Sequence, residues 1–322
     1  MILAVFVLSL LASLLSFRVL VPRLRESGLT GRDMHKRAKP EIPEMGGLGI
    51  VAGLVPGVLL AVAMHVFLDG LIDVEVVTLL AVLATVLIVT LIGVLDDLLD
   101  IPQASKAVLP LLAALPLMAI EAGQTAMVVP LIGKIDFGVA YVLVLVPLAV
   151  TGAANACNML AGFNGLETGL GAVAVGSLTV IAAYIGATTA LVILLAALGA
   201  LVAALRFNWF PARIMIGDVG TLTIGAVLTA AVIVGNFETA GVVVILPYAL
   251  DFLLKAISGF PSTEWWGELR ADGRLHCPRT LPVSFPQLVM RLTGGIHERN
   301  LVLALMGVEA VFGLVAIGLY VL

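Results

Sequence analysis

Apolar residues run through this chain in long blocks, broken by short clusters of charge, amide and glycine. In order the blocks are 1–17, 46–68, 76–95, 107–121, 139–156, 169–186, 188–205, 219–234, 241–257 and 301–322. A bilayer crossing needs about 20 residues, so the pattern predicts an all-α polytopic membrane protein of about ten transmembrane helices. Between residues 121 and 138 the pattern changes. The stretch 124–136 holds Val128-Val129-Pro130 and Gly133, which predicts a small β-hairpin on the outer side. The chain reads as one integral-membrane domain, 1–322.

The first block has no preceding Lys or Arg and is followed by Arg18, Arg23 and Arg25. A secretory signal has the reverse arrangement, so an uncleaved helix with its N-terminus outside is expected. Alternation then makes 21–45, 96–106, 157–168, 206–218 and 258–300 the inner loops. Of 17 Lys and Arg residues, all but Lys134 fall in these loops or at the inner ends of their flanking helices. The outer loops carry Asp69, Asp73, Glu75, Asp136 and Glu238 instead. This obeys the positive-inside rule and predicts a cytoplasmic active-site face in the cell membrane, or in the endoplasmic reticulum membrane of a eukaryote. Composition narrows the function further. With 61% apolar and 12% charged residues, an ordinary soluble enzyme, a disordered chain and a nucleic-acid binder are excluded. Cys157 and Cys277 give neither a disulfide framework nor a metal-ligand spacing.

The chemistry-bearing residues collect in the inner loops. Asp96 and Asp97 end the third block, with Asp100 following and Lys106 shortly after. Adjacent carboxylates repel, and a divalent cation or nearby cations relieve them. Lys106 can act on a phosphate as a point charge, or serve only as an anchor. The next loop sets Asn155, Asn158, Asn164 and Glu167 among glycines. Amides are costly to bury unpaired, so their density argues for a polar ligand. Arg213 and Asp218 follow, Asp218 at the start of an apolar helix, where N-capping is the plainer reading. A carboxylate and an amide oxygen, with waters and substrate phosphates, are what Mg²⁺ accepts. The last inner loop adds Arg270, Arg274, His276, Arg279 and Arg291, then His297, Glu298 and Arg299. There Trp265, Trp266, Glu264 and Glu268 suggest an amphipathic segment at the interface, while His35 reads as solvated. Together these groups fit phosphoryl transfer from a soluble diphosphate to a membrane-bound acceptor. A transporter of an anionic solute is the competing class, but it would carry ionisable groups deep in its spans. Only Asp251 and Glu309 are of that kind.

Blocks of this sequence resemble, in order and over nearly its whole length, the polyprenyl-phosphate N-acetylhexosamine-1-phosphate transferases. They are Gly31-Arg32-Asp33 with Pro43-Glu44-Met45-Gly46-Gly47, Asp96-Asp97 with Lys106, Asn155 to Gly169, and Asn208-Trp209-Phe210-Pro211-Ala212-Arg213 with Gly217-Asp218. Bacterial members differ at Ala161-Gly162-Phe163-Asn164-Gly165 and carry a histidine-rich final loop. Cys277-Pro278-Arg279 and Gly295-Ile296-His297-Glu298-Arg299-Asn300 look like the archaeal and eukaryotic branch. The resemblance implies transfer of GlcNAc-1-phosphate from UDP-GlcNAc to dolichyl (polyprenyl) phosphate with release of UMP, the first step of lipid-linked oligosaccharide assembly for N-glycosylation. It also implies sensitivity to tunicamycin and admits a homodimer. A bacterial-type enzyme using another UDP-N-acetylhexosamine for surface polymers is the alternative. By resemblance Asn158 and Asp218 hold Mg²⁺, with Mn²⁺ as a substitute. Lys106 and Arg279 then neutralise phosphate oxygens, Asn164 faces the uracil, and Asp96 and Asp97 lie near the acceptor phosphate. Asn155, Glu167, Arg213, His297 and Arg299 join the substrate site. Met215 stands where relatives often carry an aromatic residue, and Thr280-Leu281-Pro282 lacks the second arginine of the eukaryotic pattern.

Overall fold

The computed structural model describes residues 1–68, 70–99, 101–129, 132–261 and 266–321. Asp69, Asp100, Glu264 and Trp265 therefore lie outside the described residues. Among these, nine helices are long and apolar enough to cross a membrane. They are α1 (Leu3–Glu26), α2 (Gly47–Phe67), α3 (Val76–Leu99), the continuous stretch Tyr141–Met159 ending in α7 (Val146–Met159), α8 (Leu166–Tyr184), α9 (Thr188–Asn208), α10 (Gly217–Gly235), α11 (Glu238–Ile257) and α13 (Glu298–Val321).

The block expected at 107–121 departs from the regular spans. It folds as three short helices, α4 (Gln103–Val108), α5 (Pro110–Ala113) and α6 (Leu115–Ala119). Pro110 and Pro116 each lack an N–H and clash with the preceding turn, which interrupts the ladder. The broken stretch still runs the length of the bundle. Lys106 at its start pairs with Asp218 at the beginning of α10, and the Gln124 N–H beyond its end donates to Asn236 after α10 at 2.6 Å. Among the described residues, nine helices of spanning length are thus joined by this shorter broken stretch, Gln103–Ala119.

The predicted hairpin forms from β3 (Ala126–Val129) and β4 (Gly133–Asp136), antiparallel with Ala126 opposite Asp136. Two further hairpins lie in the opposite loops: β1 (Thr30–Arg32) with β2 (Glu41–Pro43), and β5 (Glu268–Leu269) with β6 (Leu275–His276). A short amphipathic helix, α12 (Phe285–Leu292), buries Phe285, Gln287 and Met290 and exposes Leu292.

The bundle is built around α10. In its most apolar window 83% of residues are buried, against 22% for α1, so α10 is central and α1 faces lipid. Small residues let the helices approach, as expected where lipid is as apolar as the interface. A Cβ on Gly47 would lie 2.1 Å from the Gly220 nitrogen, and one on Gly93 2.6 Å from Val219 Cα. Both contacts fall at the start of α10, so α2 and α3 bring their ends to its N-terminus.

Candidate active site

Three helix ends and one broken helix meet at the beginning of α10. Asp96 and Asp97 sit on the last turns of α3, which continues past the predicted boundary at residue 95. Lys106 on α4 reaches between two carboxylates. Its Nζ lies 2.5 Å from Asp96 Oδ2 and also pairs with Asp218 Oδ2. Asp97 turns the other way, accepting from the backbone N–H groups of Asp218 at 3.0 Å and Val219 at 3.4 Å. Asp97 is therefore the side chain that caps α10, satisfying N–H groups that a helix start leaves open. The capping role weighed for Asp218 passes to its neighbour in space, which leaves the Asp218 carboxylate for Lys106. Gly217 makes this approach possible, since a Cβ there would sit 2.5 Å from Asp97 Oδ2. Glu44, half-buried beside Asp97, has its carboxyl raised by burial first and by the Asp97 charge second. It stands in the Pro43–Gly47 block of the sequence, and its signal was a carboxylate two residues before Gly46-Gly47.

The amides arrive on α7, packed antiparallel against α10. A Cβ on Gly225 would lie 2.4 Å from the Ala153 carbonyl, and Thr229 donates to the Ala149 carbonyl at 3.5 Å. From that contact Asp218 lies about 10 Å along α10, and Asn158 about 8 Å along α7 in the same direction. Both thus stand at the same end of the bundle. Asn155 Nδ2 donates to the Ala107 carbonyl at 3.1 Å, tying α7 to the residue after Lys106. The Asn158 side chain, one turn further, is half-buried and makes no hydrogen bond among the described residues.

A second polar cluster lies in the neighbouring loops. Lys36 Nζ sits 3.1 Å from Asp33 Oδ2 and pairs with Glu298. Asn164 is 4% exposed, and its amide is engaged on both sides. Nδ2 donates to Asp33 at 3.2 Å, and Oδ1 accepts from the Ala212 N–H at 2.9 Å. The Asn164 N–H donates to Glu298 at 2.9 Å. Asn164 thus joins the first loop, the α7–α8 loop and α13. His35, expected at the surface, is buried and stacked on Phe163 at 4.3 Å, and burial pushes its imidazole down to about 4. Ligand atoms of Asp33, His35 and Glu298 lie within 4.8 Å of one another, a spacing that suits a metal. The Lys36 ammonium bridges two of these groups, as Lys106 bridges Asp96 and Asp218.

Glu167 accepts from the Gly162 N–H at 2.6 Å with Oε1, while Oε2 is buried without a partner. Arg213, Arg279, His297 and Arg299 are exposed. His297 and Arg299 border a cavity of about 470 Å³ with Arg37 and Phe210, and His297 Nδ1 lies 3.0 Å from the Gly273 carbonyl. The described contacts do not join these four residues to the Asp218 cluster. Of the interfacial segment expected here, Trp266 packs edge-on to His35 and Glu268 lies in the β5–β6 hairpin, while Glu264 and Trp265 lie outside the described residues.

An apolar groove of about 530 Å³ runs between α7, α10 and α11. It begins near Ala156, two residues from Asn158, and extends to Tyr141 and Glu238 at the far end. Leu148, Val242 and Phe252 on its lip are exposed to the bilayer side. Of the two ionisable groups noted deep in the spans, Glu309 is fully buried, and Asp251 pairs with Lys255 at 2.8 Å.

Comparisons with known proteins bear on the family of the chain. Residues 79–236, which include Asp96, Lys106, Asn158 and Asp218, match the model of glycosyl transferase family 4. A protein of Saccharolobus solfataricus is 34% identical over 303 residues, covering 92% of this chain and 90% of its own. Its provisional name is UDP-N-acetylglucosamine–dolichyl-phosphate N-acetylglucosaminephosphotransferase. The enzyme of that name from Dictyostelium discoideum is 26% identical, covering 96% and 86%. A phospho-N-acetylmuramoyl-pentapeptide-transferase of Shouchella clausii is 27% identical, covering 74% and 77%.

Proposed function

The chain belongs to glycosyl transferase family 4, and from that premise we propose that it transfers GlcNAc-1-phosphate from UDP-GlcNAc to dolichyl or another polyprenyl phosphate, releasing UMP. The observation that carries the reading is the Asp96–Lys106–Asp218 cluster at the start of α10, in a bundle that also holds a lipid-facing apolar groove reaching Ala156, two residues from Asn158. A soluble diphosphate and a lipid-borne phosphate can meet only where a charged site borders such a groove. The groove takes the isoprenoid tail, and the cluster takes the phosphates on the cytoplasmic side, where the basic loops lie.

Mg²⁺ fits this site by donor chemistry: the Asp218 carboxylate and the unengaged Asn158 amide oxygen are hard ligands of the kind it prefers. When bound, it supplies positive charge to the donor diphosphate. The remaining work falls to side chains. Lys106, held between Asp96 and Asp218, is placed to move onto a phosphate oxygen and neutralise charge as the bond to UMP breaks. Asp97 fixes the start of α10 and so the direction of the Asp218 carboxylate. The acceptor phosphate has its second pKa near 6 and is largely dianionic at neutral pH. It attacks the sugar-bearing phosphorus directly, needing positioning more than a strong base. Arg279, His297 and Arg299, exposed on the loop after β6 and at the start of α13, are assigned to the donor's sugar and phosphates.

Purified protein incubated with Mg²⁺, polyprenyl phosphate and a panel of UDP-sugars is expected to release UMP with UDP-GlcNAc, and tunicamycin is expected to block it. The similarity to the Shouchella clausii transferase supports a second reading with a different UDP-N-acetylhexosamine derivative. UMP release with UDP-N-acetylmuramoyl-pentapeptide alone would select it. A phosphoryl-enzyme with a burst of UMP before lipid is added would replace direct attack by a covalent route.

A further inference from the structure

The ion pair inside α11 has no part in the reaction above, and its surroundings give it one. Asp251 is fully buried and Lys255 nearly so. Asp251 Oδ1 accepts from the Phe285 N–H at 2.8 Å, the first residue of α12. Lys255 Nζ lies 2.8 Å from Asp251 Oδ2 and also donates to the carbonyl of Met159, the last residue of α7. One salt bridge therefore closes two helix ends. Its carboxylate caps the N-terminus of α12, and its ammonium caps the C-terminus of α7, each with the charge that the helix dipole favours.

What hangs on those two ends is the site. Met159 follows Asn158 directly. From α12, Gln287 accepts from the Val283 N–H at 3.0 Å and donates to the Trp266 carbonyl at 2.9 Å. Arg291 of the same helix donates to the Arg279 carbonyl at 3.4 Å. The amide-bearing end of α7 and the loop bearing Arg279 are thus joined through two side chains, one turn apart on α11. Stability alone does not explain the pair, because apolar replacement of a buried ion pair is often neutral or favourable. Resting on the proposed reaction, we propose that Asp251 and Lys255 are positioning residues that hold Asn158 and Arg279 in register across the donor diphosphate.

The test compares the wild type with Asp251→Leu/Lys255→Met, which removes both charges and both caps without stranding either charge. In nanodiscs the double variant is expected to melt near the wild type. Its half-saturating Mg²⁺ concentration for UMP release should rise about tenfold, the usual cost of losing an outer contact to a metal ligand. Hydrogen–deuterium exchange without substrate should quicken at residues 157–160 and 277–292. Wild-type Mg²⁺ dependence together with wild-type exchange would overturn the proposal. Should the double variant not fold, Lys255→Arg is read by the same two measurements: faster exchange with a raised Mg²⁺ requirement supports the pair's role, and unchanged values in both refute it. Because exchange needs no turnover, a wild type that releases UMP from no donor removes the proposed reaction while exchange still decides this inference.

Discussion

Lys106 stands between two carboxylates, and its removal leaves them facing each other with no cation. Lys106→Met is expected to lower UMP release by about 10²–10³, the effect of deleting one preorganised group that meets developing charge. Asp218→Asn should abolish nearly all turnover while size-exclusion behaviour in detergent stays normal. Normal activity in either variant would move the site away from α10. His35 gives a prediction about stability. The unfolded chain takes up a proton near pH 6.5, while the buried ring resists until about 4. Between those values the unfolded state binds more protons, so stability falls as pH is lowered through the window and is indifferent to this group above it. Melting followed from about pH 7 to about pH 5 should show that slope in the wild type and lose that component in His35→Asn. The charged residues that the fold gathers at the start of α10 were legible at this scale: Asp96, Asp97, Lys106 and Asp218 stand beside apolar blocks. Which neighbour each would choose was not. That Asp97 caps α10 depends on a contact across 121 positions of chain, and the burial of His35 depends on Phe163 arriving from another loop.

At the scale of elements, the contact between α7 and α10 sets the spacing of Asn158 from Asp218. Gly225→Ala would put a Cβ 2.4 Å from the Ala153 carbonyl, forcing the helices apart. Overpacking of this kind costs about 1–3 kcal/mol, so a lower melting temperature is expected together with a raised Mg²⁺ requirement. A lower melting temperature alone would show that the spacing is uncoupled from the site. Helix positions were readable because each apolar block is close to one crossing long. The exception, 107–121, carried its own warning in Pro110 and Pro116, which composition alone does not weigh. The β1–β2 hairpin gave no comparable sign, since three-residue strands have too few positions for an alternating pattern.

For the whole molecule, the two faces differ in charge, and that difference predicts orientation. In a Cys277→Ser background, Lys134→Cys on the β3–β4 hairpin should react with an impermeant maleimide in intact cells. Arg274→Cys in the opposite loop should react only after permeabilisation, and the reverse result would turn the protein over in its membrane. The groove between α7 and α11 carries a kinetic consequence. With exposed Leu148, Val242 and Phe252 on its lip, it can be filled sideways by molecules diffusing in two dimensions. The second substrate's effective concentration is then its mole fraction among surrounding amphiphiles, not its amount per litre. Adding inert detergent at constant totals should slow the enzyme by surface dilution, and the nucleotide-sugar's apparent affinity should stay fixed while it does.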